Sequence, residues 1–229
     1  SETKILFVAH QYQDLAEQAL SQLSNKPEIL LNHPDNLPVW NDTVPVKKLL
    51  NHVPNPKEKA LLIYTSGTTG RPKGVIHTHE SLLYGGWNTE VAHELTPDDN
   101  SLCVLPLCHI NAQVVSVMGT LVNGSGLVMP QRFQVSKFWS WMVDQKCTWF
   151  SVVPTILSYL MNIEEGEKIK SKLGRVRFGR SASAALPPAL HKAFEERFGI
   201  KIVETMGITE TASPLLSNPI DPKLHKLGS

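Results

Sequence analysis

Residues 64–75, YTSGTTGRPKGV, join two short apolar runs through a loop of glycines, hydroxyl side chains and two cationic side chains. The run at 61–65 precedes this loop, and the run at 74–77 follows it. Short apolar runs bounded by glycine and proline are typical of strands. The sequence therefore predicts a strand, a glycine-rich turn and a second strand.

Short apolar runs alternate with helical patterns along the rest of the chain. The run at 5–8 precedes apolar residues at helical spacing from Leu15 to Leu23, which predicts a βα unit. A second run at 28–31 leads into a proline-rich segment, 34–56, which we interpret as a surface connection because proline interrupts helices. The other predicted strands are 102–105, 127–129, 149–152, 176–178 and 201–204. One predicted helix begins near Glu80, and the other predicted helices span 114–121, 138–144, 156–161 and 188–198.

This alternation predicts an α/β fold in which mainly parallel sheets carry helices on both faces. Ligands of such sheets bind beyond the carboxyl ends of the strands. The loops at 65–73 and 205–210 both follow predicted strands. We therefore expect these two loops to form the ligand site.

The first loop has the composition of a phosphate-binding loop. Glycines let backbone N–H groups approach an anion, hydroxyl groups add donors, and a lysine supplies a compact positive charge. Its order differs from that of a Walker A loop, because Lys73 follows Gly70 by three residues instead of directly. On composition alone, a flexible surface turn is the more common explanation.

The order of the residues favours phosphate binding, because residues 64–75 resemble the signature of the adenylate-forming superfamily. This family comprises acyl-CoA synthetases, the adenylation domains of peptide synthetases, and luciferases. PLCH at 106–109, RSASAALP at 180–187 and ETMGITE at 204–210 resemble three further motifs of the family in the same order. The resemblance covers nearly the whole chain and is closest to the acyl-CoA and oxalyl-CoA synthetases, which carry a later SNP segment, here 217–219.

The resemblance implies part of the large N-terminal domain of this fold and an AMP-forming acid–thiol ligase. Such an enzyme activates a carboxylic acid with ATP, releases pyrophosphate and transfers the acyl group to a thiol, here that of coenzyme A. Two alternatives stay open: a domain that loads a carrier-protein thiol, and a nucleotide-binding module without catalytic activity.

The resemblance also implies which residues hold the phosphates. Glu210 is expected to hold Mg²⁺, a cation that prefers oxygen ligands and substrate phosphates. Thr209 is expected to meet the α-phosphate, and Lys73, Thr209 and Glu210 are the expected catalytic residues. The expected β- and γ-phosphate contacts are Thr65, Ser66, Thr68, Thr69 and Lys73, with the backbones of Gly67 and Gly70.

The adenine slot is implied by two segments of the resemblance. Met206 stands where the family often has an aromatic residue, and Ala185 stands where it often has proline, which affects the contact with adenine more than the chemistry. The expected residues of the slot are Ser183, Ala184, Ala185, Met206 and Gly207, and the neighbouring Glu204 and Thr205 are further expected nucleotide-binding residues.

The acyl pocket implied by the resemblance has mixed character. Asn111 and Gln113 can hydrogen-bond a polar acid, whereas Val114 and Met118 favour an aliphatic one, so the acid stays open with a lean toward a short or polar acid. His109 is implied to shape the pocket without transferring a proton. The expected pocket residues are His109, Asn111, Gln113, Val114, Met118, Ala182 and Gly207.

The composition limits the classes of molecule that the protein is expected to bind. The 22 Lys and Arg residues balance 21 Asp and Glu residues, so no strong field gathers nucleic acid or an anionic membrane, and we expect small-molecule partners. No apolar run approaches the roughly 20 residues that span a bilayer. Three cysteines without CxxC spacing fit free thiols in a reducing compartment, which predicts a cytoplasmic location. His77 and His79 lack further nearby ligands, so we expect no zinc site there.

Several parts that the resemblance implies fall outside the 229 residues: a ribose-binding aspartate segment, a hinge, and a C-terminal domain with an assisting lysine. We therefore expect this chain to be part of a longer protein and to turn over poorly by itself. Within the chain, we expect the partial N-terminal domain to divide into subdomains at about 1–130 and 131–229.

Overall fold

The computed structural model describes residues 3–32, 53–66, 70–163, 169–212 and 214–228. It divides into two compact units, Ser1–Val53 and Pro54–Ser229. Strands on both sides of residue 130 share the main sheet of the second unit. The predicted division near residue 130 stays a prediction.

The first unit contains the predicted βα pattern. Strand β1 (Ile5–Ala9) leads through a 3₁₀ turn (His10–Tyr12) into helix α1 (Gln13–Leu20), and β2 (Glu28–Asn32) pairs with β1 in parallel. Most of the predicted surface connection at 34–56 lies outside the described residues.

The second unit begins with a β-hairpin around the glycine-rich loop. Strand β3 (Lys59–Thr65) pairs antiparallel with β4 (Lys73–Thr78), and Thr65 lies opposite Lys73 where the loop begins and ends. Helix α2 (His79–His93) follows at once, because Thr78 and Ser81 form a reciprocal capping box at its N-terminus. The hairpin therefore fixes both ends of the loop.

The main sheet has six strands, of which five run parallel. They are β5 (Asn100–Cys103), β6 (Gly126–Val128), β7 (Trp149–Val152), β8 (Phe178–Ser181), β9 (Lys201–Gly207) and β10 (Pro214–Ser217). Their order is β10-β9-β8-β7-β5-β6, and only β10 is antiparallel to its neighbour. The prediction of a mainly parallel sheet is confirmed.

Helices pack on both faces of this sheet, as predicted. Successive strand residues point to opposite faces, so Trp149 stacks near His93 of α2 while Phe150 packs edge-on against Phe138. The second unit also contains a π-helical segment (Asn111–Met118), α3 (Gly119–Asn123), α4 (Phe138–Asp144), α5 (Pro154–Met161) and α6 (Pro188–Phe198), with 3₁₀ turns at Val135–Lys137, Lys170–Lys172 and Thr209–Thr211.

Several element boundaries differ from the sequence prediction. Strand β8 begins at the last residue predicted for it and continues to Ser181, and β9 continues to Gly207, so residues 205–207 belong to a strand and not to a loop. The helix predicted at 114–121 is π-helical until Met118. Strand β10 was not predicted, because proline and serine at its ends are typical of turns. No helix among the described residues is long and apolar enough to cross a membrane.

Candidate active site

A cavity of about 1410 Å³ opens at the carboxyl ends of the central strands. Its lining includes the residues that directly follow β5, β6, β7 and β8, represented by Val104, Met129, Val153 and Ala182. Loops at this edge of a parallel sheet are where ligands of α/β folds bind. The edge predicted for the ligand site therefore carries a large cavity.

The glycine-rich loop meets this cavity at its first end. Thr65, the last residue of β3, and Ser66 both line the cavity, and Gly70 has a φ of 75°, which glycine adopts without strain. Lys73 begins β4 and is exposed. The predicted phosphate contacts Gly67, Thr68 and Thr69 lie outside the described residues.

The segment after β9 approaches the same cavity. Thr209 and Glu210 lie in a 3₁₀ turn and line the cavity together with Thr65 and Ser66. The Nε2 atom of His77 in β4 lies 2.8 Å from the Thr209 carbonyl oxygen. A carbonyl oxygen only accepts, so His77 donates this hydrogen bond and ties the hairpin to the turn.

The oxygen donors of this region fit a hard divalent cation. Glu210 is exposed and lines the cavity, and so do three residues that carry hydroxyl groups, Thr65, Ser66 and Thr209. Mg²⁺ commonly binds through one or two carboxylates together with substrate phosphates. The donor set around Glu210 suits this cation.

The predicted adenine side divides between exposed and buried residues. Ser183 lines the cavity with a φ of 71°, and the neighbouring Ala184 and Ala185 are exposed. Glu204 is occupied elsewhere, because its Oε1 accepts a hydrogen bond of 2.9 Å from the Leu186 backbone N–H. Of the remaining predicted residues, Thr205 is buried, Met206 is 56% exposed, and Gly207 lines the cavity.

Only some of the predicted acyl-pocket residues line the cavity. His109, Asn111, Ala182 and Gly207 line the cavity, whereas Gln113, Val114 and Met118 are not among its described lining residues. Val114 is fully buried and lies against Gly85 of α2, so it packs between two helical segments. The polar member Asn111 is therefore better placed for substrate contact than the apolar Val114.

Arg180 is a feature of the site whose role the sequence did not indicate. It lies in β8, lines the cavity and is only 2% exposed. Its Nη1 donates hydrogen bonds of 2.6 Å to Asn111 Oδ1 and 3.0 Å to Ser151 Oγ. Burial lowers the pKa of Arg180 to about 9. The predicted strand at 176–178 ends before Arg180, so its burial in β8 could not be inferred from the strand prediction.

The charge of Arg180 affects its buried neighbour His93. Burial, followed by the charge of Arg180, lowers the pKa of His93 to about 3, and the hydrogen bond to the Thr89 carbonyl opposes this only in part. His93 is therefore neutral at physiological pH. A neutral imidazole adds no second positive charge beside Arg180.

Comparisons with known proteins agree with this geometry. The AMP-binding enzyme family matches residues 1–229. The sulfoacetate–CoA ligase of Cupriavidus necator is 45% identical over 231 residues, covering 100% of this chain and 44% of that protein. The oxalate–CoA ligase of Arabidopsis thaliana is 32% identical over 239 residues, covering 100% of this chain and 46% of that protein. This chain thus spans less than half the length of these relatives.

A solved structure shows the same fold. The crystal structure of ATP-bound MatB from Rhodopseudomonas palustris superposes with a TM-score of 0.79 at 24% identity, covering 97% of this chain and 43% of that one.

Proposed function

Because this chain belongs to the AMP-binding enzyme family, we propose that the protein it forms activates a carboxylic acid as an acyl-adenylate and transfers the acyl group to coenzyme A. The observation that carries the proposal is the shared cavity, where the first end of the glycine-rich loop meets the turn of Thr209 and Glu210. The names of the relatives support coenzyme A as the acceptor.

In the first half-reaction, a carboxylate oxygen of the acid attacks the α-phosphorus of ATP. The bond between the α-phosphorus and the bridging oxygen breaks, and pyrophosphate leaves with the electron pair. A carboxylate and a triphosphate repel each other, so the site must neutralise charge and hold the two groups in line. In the second half-reaction, the coenzyme A thiolate attacks the acyl carbonyl and AMP leaves.

The residues of this chain supply those functions. Lys73 and the hydroxyl groups of the glycine-rich loop, Thr65, Ser66, Thr68 and Thr69, bind the β- and γ-phosphates, together with the backbones of Gly67 and Gly70. Thr209 positions the α-phosphate. Glu210 holds Mg²⁺, which when bound neutralises phosphate charge.

The nucleoside and the acid occupy the remaining parts of the cavity. The adenine lies beside Ser183, Ala184 and Gly207. The acid lies near His109, Asn111 and Ala182, all of which line the cavity.

Acid-dependent pyrophosphate release by the whole protein tests this proposal. With a panel of carboxylic acids, ATP and Mg²⁺, at least one acid should release pyrophosphate and form AMP, and coenzyme A should then yield an acyl-CoA. Release of ADP, or no acid-dependent release with any acid, would contradict it.

Two substitutions test the site itself. Lys73→Met and Glu210→Gln should each lower the rate of adenylate formation by about 100-fold or more, because each removes charge stabilisation at the reacting phosphates. Lys57→Met and Glu58→Gln are matched controls, since both residues are exposed at the opposite end of the hairpin. Equal rates in all four variants would rule out the assigned roles.

A further inference from the structure

Arg180 leaves three of its five N–H donors without an acceptor among the described residues. A guanidinium carries five N–H donors. Both hydrogen bonds of Arg180 come from Nη1, to Asn111 and Ser151, and both acceptors are neutral. The buried Nε has no partner among the described residues, and none of their hydrogen bonds involves Nη2.

No carboxylate among the described residues compensates the charge of Arg180. A buried cation without a counter-ion is costly, since burial removes hydration that neutral hydrogen bonds do not replace. The Nε atom is enclosed by protein atoms, whereas Nη2 is not among the buried unpartnered atoms of the described residues, so an anion in the cavity would meet Arg180 at Nη2 through a charge-assisted hydrogen bond. The residue is therefore built to receive an anion.

The position of Arg180 indicates which anion this is. Arg180 lies in β8 opposite Ser151 of β7, and both residues are buried, which fixes the guanidinium among the central strands. Its partner Asn111 begins the π-helical segment and donates from Nδ2 to Ser183 Oγ at 3.2 Å. Asn111 is one of the expected acyl-pocket residues, whereas Lys73, the cation assigned to the phosphates, is exposed at the start of β4. Arg180 thus belongs to the acid side of the cavity.

We propose that Arg180 binds a second anionic group of the acid, so that the preferred substrates are short acids carrying a carboxylate or sulfonate besides the carboxylate that is activated. This inference rests on the proposed function and names its substrate class. Asn111 and Ser151 act as positioning residues, because they accept hydrogen bonds from Nη1 and leave Nη2 for the anion. Neutralising the buried guanidinium makes the binding of a second anionic group favourable, whereas an acid without one leaves the charge unpaired.

Pairs of acids that differ only in the charge of the second group test this proposal on the unaltered whole protein. Sulfoacetate is compared with methylsulfonylacetate, and oxalate with oxamate, by acid-dependent pyrophosphate release. The charged member of at least one pair should have a kcat/KM about 100-fold higher, since a buried charge pair contributes at this level. Equal values within each pair, in a protein that is active with these acids, would overturn the proposal.

The variant Arg180→Met should remove this preference. The kcat/KM for the charged acid should fall by about 100-fold, and that for its neutral partner should stay within a few-fold or rise. Arg180→Lys should restore only part of the preference, because a flexible ammonium group does not reproduce the fixed guanidinium that Asn111 and Ser151 hold. Arg175→Met is a matched control, since Arg175 is exposed and precedes the same strand.

The two proposals fail in distinguishable ways. If no acid in any panel releases pyrophosphate, the proposed function fails. If acids are activated but Arg180→Met lowers the charged and neutral members equally, with an unchanged circular-dichroism spectrum, only the assignment of Arg180 fails. Retained discrimination in a folded Arg180→Met protein would also overturn it.

Discussion

The Nε2 atom of His77 donates a hydrogen bond of 2.8 Å to the backbone carbonyl oxygen of Thr209. His77 is 3% exposed, and the two residues lie 132 positions apart in the chain. This bond connects the strand that begins at Lys73 with the turn that carries Glu210. It couples the two segments to which we assign phosphate and cation binding.

Removing this bond should impair adenylation. His77→Ala should lower kcat/KM for pyrophosphate release by about tenfold, which corresponds to the net contribution of one buried hydrogen bond. His77→Gln, which keeps an N–H donor of similar reach, should retain most of the activity. His79→Ala, two residues along, serves as the control, and an equal loss there would show that the effect is not specific to the bond.

Gly179 should tolerate no larger residue. A Cβ at this position of β8 would overlap the Phe150 ring and lie 2.7 Å from Ile202 Cδ1, in the packed interior between β7 and β9. Gly179→Ala should therefore lower the free energy of unfolding by about 1–3 kcal/mol, measured by urea denaturation. Gly174→Ala should have little effect, because nothing lies within 4 Å of its added Cβ. Similar losses in both variants would contradict the packing argument.

In the absence of substrate, the buried charge of Arg180 should lower the free energy of unfolding. Its buried charge has hydrogen bonds but no counter-ion among the described residues, so Arg180→Met should raise the free energy of unfolding by about 1 kcal/mol or more. Thermal denaturation without ligand measures this, and a lower melting temperature in the variant would disagree with it. Gain in stability together with loss of discrimination would be typical of a residue kept for function.

Lowering the pH should remove the stabilising contribution of Glu195, in α6, to the free energy of unfolding. Burial opposes its charged form, but hydrogen bonds from His191, Lys201 and the Ile202 N–H outweigh burial and lower its pKa from 4.5 to about 2. A carboxylate whose pKa is lower in the folded state stabilises the protein above the unfolded pKa, and this contribution disappears as the pH falls.

The pH window follows from these two values. Glu195→Gln should lower the melting temperature at pH 5, and the difference from the unaltered protein should shrink between about pH 4.5 and pH 2. Glu196→Gln is the control, because Glu196 is exposed and pairs only at 3.8 Å with the exposed Lys192. A difference for Glu195→Gln that stays constant over this range would contradict the assignment.

The fold class and the edge of the sheet that carries the site could be predicted because both depend on local patterns. Periodicity gave the order of strands and helices, and the motif at 64–75 gave the loop. Element boundaries such as the start of β8 at Phe178 could not be predicted, since they depend on pairing with β7 and β9, which are distant in sequence. Strand β10 depends entirely on its pairing with the extended end of β9.

Which of the expected acyl-pocket residues line the cavity could likewise be seen only in the folded structure. Asn111 and Val114 both follow the PLCH motif and were both expected in the acyl pocket, yet Asn111 lines the cavity and Val114 is buried against α2. Likewise, the strand predicted at 176–178 stops before Arg180, so the sequence shows neither its burial in β8 nor whether a carboxylate pairs with it. That information comes only from the residues around it in three dimensions.

The position of the Asn111 side-chain amide, which accepts a hydrogen bond from Arg180, depends on the π-helical backbone of Asn111–Met118. A π-helix contains more residues per turn than the α-helix α3 that continues it. Deleting a single residue would convert the segment to regular α-helix and rotate position 111 by about 100° around the axis. Selectivity could thus evolve by insertion and deletion in one turn, while the sheet and the nucleotide-binding loops remained unchanged.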